Sequence, residues 1–350
     1  MSLIRSTKCE GCGAALGELH APTCPRATCW HCGQEYAGCP WKQSGLQRQF
    51  PSAGDLEDVF ANQNRHYVGL DLDEFDFMPT YEGGKLVGLR SNRVGPGPWR
   101  VIETSAQARD LRDLTLAMPH LSMENCDDCV EALLHSPLLS RLQILQLGET
   151  DRGWDANLDD EGALCDGEDM EALVALVERM PRVVALYLAA AVPEPGLLLA
   201  ATFPPALKTL QARSFEPLDL GVLARNDSLG GLGTLVLRKE PIGARVGEGF
   251  YAQLGALLNR AALDRLQDLR LDVPELDDVS CEILVGSRLV RQLRRLWLRG
   301  EGVTDAGAAI LAACPDIQKL EELAIEGPDV TEAGYAALRA AGVRLRDVEE

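Results

Sequence analysis

A six-residue pattern, apolar-x-x-apolar-x-apolar, recurs along the chain. It stands at Leu111/Leu114/Leu116, Leu142/Leu145/Leu147, Val183/Leu186/Leu188, Leu232/Leu235/Leu237, Leu266/Leu269/Leu271, Leu293/Leu296/Leu298 and Leu320/Leu323/Ile325, with a degenerate copy at Leu207/Leu210/Ala212. Successive copies start 31, 41, 24, 25, 34, 27 and 27 residues apart. The alternation inside each copy has the period of a strand buried on one face. Stretches with helical spacing follow, at 170–180, 250–262, 306–314 and 333–341, so each unit is predicted to be one strand and one helix.

The last two units agree almost residue for residue. Val303-Thr304-Asp305-Ala306-Gly307 matches Val330-Thr331-Glu332-Ala333-Gly334 at a shift of 27. In each, the threonine is placed to cap a helix, and the acidic residue falls in the first turn, where the helix dipole favours it. Gly342 is placed to end the last helix.

With these repeats residues ~110–345 resemble the ribonuclease-inhibitor-like class of leucine-rich-repeat proteins. The resemblance implies an α/β fold, a leucine-rich-repeat solenoid whose parallel sheet is backed by helices, and a protein partner bound on the concave face. The hexad leucines point to the core, which leaves the intervening residues on that face. In the C-terminal half these include Arg213, Arg238, Arg270, Arg295, Trp297 and Arg299, with Tyr187 further back. Arginine and tryptophan make large contacts with directional donors, so the row is expected to dock an acidic segment of a partner. The competing reading is that the arginines pair with Asp268, Asp272, Glu322 and Glu326 on neighbouring strands.

Before the repeats, residues 40–65 carry Pro40, Pro51, Ser52 and Gly54, the composition of a linker. Extended stretches are predicted at 67–72 and 86–91, with Glu82-Gly83-Gly84-Lys85 as a hairpin turn. The expected organisation is a zinc-binding module and linker at 1–50, a cap at 51–110 and the solenoid at 111–350.

The small N-terminal zinc-binding module is read from its cysteines. Cys9-x2-Cys12 and Cys29-x2-Cys32 are separated by 16 residues, with His20, Cys24, His31 and Cys39 nearby. Paired thiolates on tight turns suit a tetrahedral, closed structural zinc site. The two knuckles resemble those of zinc ribbons and treble-clef-like modules, from which His20, Cys24 and Cys39 depart as additions. Two pairings stay open. Cys9, Cys12, Cys29 and Cys32 hold one zinc while His20, Cys24 and Cys39 join a second, or Cys9, Cys12, His20 and Cys24 form one site. One zinc ion, or two, is expected.

Charge narrows the classes of partner. The 350 residues carry a formal net charge of −19. Residues 1–50 hold five basic and three acidic residues, so the remainder accounts for −21. Such a field disfavours non-specific nucleic-acid or anionic-membrane binding. The start of the chain has no apolar run of signal-peptide length, and no ~20-residue apolar run follows, so a cytoplasmic protein that does not span a membrane is expected.

No Gly-x-Ser-x-Gly elbow, phosphate-binding glycine loop, dinucleotide fingerprint or His-Glu-x-x-His helix is present. His66, His120 and His135 are isolated. Cys126 and Cys129 are flanked by Asp127 and Asp128, which would raise a thiol pKa, and Cys281 and Cys314 fit apolar helix positions. The acidic stretch 149–169 departs from a calcium loop in having Asp160 where glycine is required. The function expected is a non-enzymatic protein-protein interaction scaffold. The alternative is a nucleic-acid-associated regulator that binds through the zinc module, where Trp30, Tyr36 and Trp41 interleave with basic residues.

Overall fold

The computed structural model describes residues 77–82, 85–91, 107–116, 133–148, 170–192, 194–214, 216–239 and 249–346. Cys9, Cys12, His20, Cys24, Cys29, Cys32 and Cys39 lie outside the described residues, as do 67–72, Cys126, Cys129 and the acidic stretch 149–169.

Among the described residues the strands form one ten-stranded sheet in sequence order. They are β1 (Phe77–Glu82), β2 (Lys85–Ser91), β3 (Asp113–Leu116), β4 (Ile144–Leu147), β5 (Ala185–Val192), β6 (Thr209–Ser214), β7 (Thr234–Lys239), β8 (Asp268–Asp272), β9 (Arg295–Arg299) and β10 (Glu322–Glu326). The β1–β2 pair is antiparallel and the eight pairs from β2 to β10 are parallel. Seven α-helices are described: α1 (Met170–Glu178), α2 (Pro195–Ala200), α3 (Leu220–Arg225), α4 (Phe250–Leu258), α5 (Asp278–Val285), α6 (Asp305–Ala313) and α7 (Glu332–Ala340). The result is a repeating strand-and-helix α/β architecture.

The hexads set the register. Their middle leucines, from Leu114 through Leu145, Leu186, Leu210, Leu235, Leu269 and Leu296 to Leu323, stand side by side across eight strands. All are buried in one core with Leu173, Leu254, Leu284, Leu311 and Leu338 from the helices. Burying each such side chain contributes ~1.5–3 kcal/mol. Leu207, Leu210 and Ala212 are buried in the same way, so the degenerate copy fills a full repeat position.

Two sequence expectations are amended at the N-terminal side. Glu82 pairs with Lys85 as the expected hairpin requires, and the strand that pairs with β2 there is Phe77–Glu82, a stretch not predicted as extended. The hairpin's second strand also acts as a repeat strand. Leu89 pairs in parallel with Leu114, and Leu86 and Leu89 are buried like the first two hexad leucines. Part of the segment expected to be a cap is thus the first parallel strand. At the far end, the Leu323 amide donates to Arg344 O (2.8 Å) and the Arg346 amide to Leu323 O (2.9 Å), which covers the edge of β10.

Helix boundaries depart from the periodic stretches by one or two residues, and by four at the end of α4, which stops at Leu258 rather than 262. Thr304 and Thr331 accept from the amides of Ala306 and Ala333, each at 3.1 Å. Gly342 adopts φ +82°. Its amide donates to Arg339 O and that of Val343 to Leu338 O, the two bonds that close a helix on a left-handed residue. Among the described residues, no helix is long and apolar enough to cross a membrane.

Candidate partner-binding face

Strand pleating sends the residues between the hexad leucines to the face away from the core. Neighbouring strands lie ~4.8 Å apart, close enough for side chains in register to stack or pair. On β7–β10 this face is built mainly from arginines, carboxylates and one tryptophan, with Thr234, Val236 and Ala324 among them.

Arg295 grips Asp268 with two bonds, Nε to Oδ1 and Nη2 to Oδ2, both 2.7 Å. Thr234 Oγ1 also donates to Asp268 Oδ2 (3.2 Å). The bond to Asp268 raises the pKa of Arg295 above its ordinary value. Two rows further along the strands, three guanidiniums converge on Asp272. Arg238 Nε lies 3.5 Å from Oδ2, Arg270 Nη2 3.6 Å from the same oxygen, and Arg299 Nε 3.8 Å from Oδ1. Arg299 also reaches Glu326 at 3.5 Å. Burial lowers the pKa of Arg270, partly offset by the charge of Asp272.

Trp297 sits in β9 between Arg270 of β8 and Ala324 of β10. The Arg270 guanidinium lies over its ring at 3.7 Å, and that of Arg346 at 5.2 Å. Leu345 bridges to Leu323, so Arg346 follows alongside Ala324, whose small side chain leaves room for the approach. Planar guanidiniums over an indole are favourable electrostatically and as stacked surfaces.

The sequence-predicted residues are thus brought together unevenly. Arg238, Arg270, Arg295, Trp297 and Arg299 form one cluster. Arg213 stands beside Arg238 in register, in a buried position. A bulge after Leu188 pairs it with Ala191 on the other side instead of Ala189. Tyr187 lies on β5, in register with Gln211 and three strands from Arg270. The expectation of a uniformly presented row is amended. Arg213, Arg270 and Trp297 are no more than 7% exposed, while the side chains of Arg295 and Arg299 are 40% and 49% exposed. The predicted pairing of Arg295 and Arg299 with Asp268, Asp272 and Glu326 is present.

Residues absent from the sequence reading contribute too. Arg346 lies beyond the last hexad, where the period gives no signal. Lys239, at the end of β7, makes a buried ion pair with Glu275. Neither belongs to the alternating set that the hexads define. Away from this face, Cys281 is buried in α5, where desolvation and the nearby Asp278 and Asp277 charges push its thiol up to about 12. His135 is exposed at the start of a turn.

Among the described residues, no group of three or more His, Cys, Asp or Glu side chains is placed to hold a metal ion. No protein-family model matches the chain, and comparison with curated proteins gives no match.

Proposed function

We propose that this chain is a leucine-rich-repeat protein of the ribonuclease-inhibitor-like class that works as a non-enzymatic interaction scaffold. The face of β7–β10 docks an acidic segment of a partner protein. The observation that carries the reading is Trp297 held under Arg270 and Arg346, with half-exposed Arg295 and Arg299 beside it. A rigid aromatic anchor with arginines at its rim is the composition of a binding hot spot. The intramolecular carboxylates hold the guanidiniums in place, and an incoming carboxylate would share the exposed edges of Arg295 and Arg299.

The N-terminal cysteines complete the proposal. Cys9, Cys12, Cys29 and Cys32, with His20, Cys24 and Cys39, hold one zinc ion or two and form a compact module whose folding depends on the metal. Clustered cysteines of this spacing fit a reducing compartment, which supports a cytoplasmic location as part of this reading.

The test is a paired charge reversal, Arg295→Glu with Arg299→Glu, in the full chain. A partner is first captured from the protein's own cytosol and identified, and its affinity is then measured by titration. The reversal is expected to weaken binding by about tenfold or more. An unchanged affinity would remove this face from the proposal.

A further inference from the structure

The turns that lead into the strands carry positive charge in nearly every repeat. The residue before the first apolar position of the hexad is Arg141, Arg182, Arg265 or Lys319, and the residue after it is Arg112, Lys208 or Arg294. Seven of the eight units from β3 to β10 thus set a cation at the same edge of the sheet. The exception is the β7 unit, which has Gly231 and Gly233 at these positions. Parallel register keeps the positions in line, one unit per ~4.8 Å. All but the half-buried Arg141 are exposed.

The opposite edge, where the helices begin, is acidic, with Asp219, Asp277, Asp278, Asp305 and Glu332. A chain of net charge −19 therefore segregates its charges, with cations gathered along the strand-start edge. Fold stability accounts for part of this. Arg112 pairs with Glu82 at 2.6 Å and Arg294 with Glu321 at 2.5 Å, and cations near helix C-termini suit the dipole. It does not account for Arg182 and Arg265, which are exposed and make no ion pair among the described residues.

We propose that the strand-start edge is a second docking surface, for an extended acidic segment of a protein. Guanidiniums dominate the row, and their planar fork matches carboxylates. Nucleic acid fits less well. Among the described residues of these turns the only Phe, Tyr or Trp is Phe203, which is buried, so those residues offer no platform for base stacking. Asp110, Asp264 and Glu321 interleave with the cations, and the overall charge opposes a polyphosphate. This surface is separate from the β7–β10 face and does not depend on that reading.

The experiment uses the full-length protein and a fluorescent oligo-glutamate peptide, followed by anisotropy at low and moderate salt, with single-stranded DNA as a competing probe. Arg182→Glu with Arg265→Glu is compared with Arg295→Glu with Arg299→Glu. The edge reversal is expected to weaken peptide binding about tenfold with the melting temperature unchanged, and the open-face reversal to leave most of it. Neutral Arg182→Gln with Arg265→Gln is expected to fall between wild type and the edge reversal. Absence of peptide binding, binding indifferent to the edge reversal, loss confined to the open-face reversal, or tighter binding of the DNA would each overturn the proposal.

Discussion

Asp278, in the first turn of α5, caps α6 through Thr304 of the following repeat. Its Oδ1 accepts from the Thr304 amide at 2.9 Å and its Oδ2 from the Thr304 hydroxyl at 2.7 Å, while the Gly307 amide also donates to Oδ1 at 2.8 Å. Asp305 repeats the arrangement toward Thr331 (2.8 and 2.7 Å) and Gly334 (3.1 Å). The starts of α5 and α6 therefore satisfy free amides of α6 and α7 in turn, and the Val-Thr-Asp-Ala-Gly motif is a contact between repeats.

Asp278→Ala is expected to cost about 1–2 kcal/mol in urea unfolding, since it strips partners from amides at a helix N-terminus. The glycine of the motif is required by the same contact. A Cβ at Gly307 would lie 2.5 Å from Asp278 Oδ1 and 3.1 Å from Cys281 Sγ. Gly307→Ala should destabilise by about 1–3 kcal/mol, and by less in an Asp278→Ala background. A double-mutant cycle with no coupling would refute the contact.

Acid should loosen this ladder. Hydrogen bonds from the Thr331 hydroxyl and amide hold the Asp305 carboxyl below its ordinary range. At Asp277 burial acts to raise the pKa, but hydrogen bonds from Tyr251 and Ser280 outweigh it and the net shift is downward. A carboxyl with a depressed folded pKa contributes stability that is complete above the unfolded value, about 4, and is lost as pH falls through the folded value. Chemical denaturation is expected to show stability falling below about pH 4, with a shallower fall in Asp305→Asn. Identical pH profiles for the two proteins would contradict the linkage.

The Trp297 stack separates two arginines by burial. Arg346→Ala removes a cation from the ring at a partly exposed site and is expected to cost about 0.5–1 kcal/mol. Arg270→Ala also takes a guanidinium from buried Asp272 and should cost about 2–4 kcal/mol. Equal losses on thermal unfolding would show that the pairing with Asp272 contributes little.

Cys281 supplies a probe of the core. A thiol pushed up to about 12 and packed among Leu254, Leu284 and Val303 is neutral and shielded at physiological pH. Alkylation mapped by mass spectrometry should reach half-buried Cys314 first and Cys281 only with unfolding of the repeats. Early labelling of Cys281 would mean that α5 opens locally.

The repeats were legible because each hexad keeps leucine where the sheet meets the helices, and burial tolerates little else there. Strand β2 was expected as a hairpin strand but not as a repeat strand, because Ser91 takes the third position of the hexad, although Leu86 and Leu89 are buried in the first two. The match between the last two units was visible, yet the reach of Asp278 to Thr304 was not, because sequence alone does not show which loops touch. The arginine row was found by alternation. Its depth was not, because Arg270 stacks on Trp297 one strand away, and Trp297 is itself approached by Arg346 beyond the last repeat.

The most direct test of the scaffold account is native mass spectrometry, with metal analysis, of the full chain purified from its native cells alongside its Arg295→Glu/Arg299→Glu variant. The account predicts one or two zinc ions on both, with a stoichiometric protein companion on the wild type that the variant loses. A wild-type chain without a companion, or a companion that the variant retains, would contradict it.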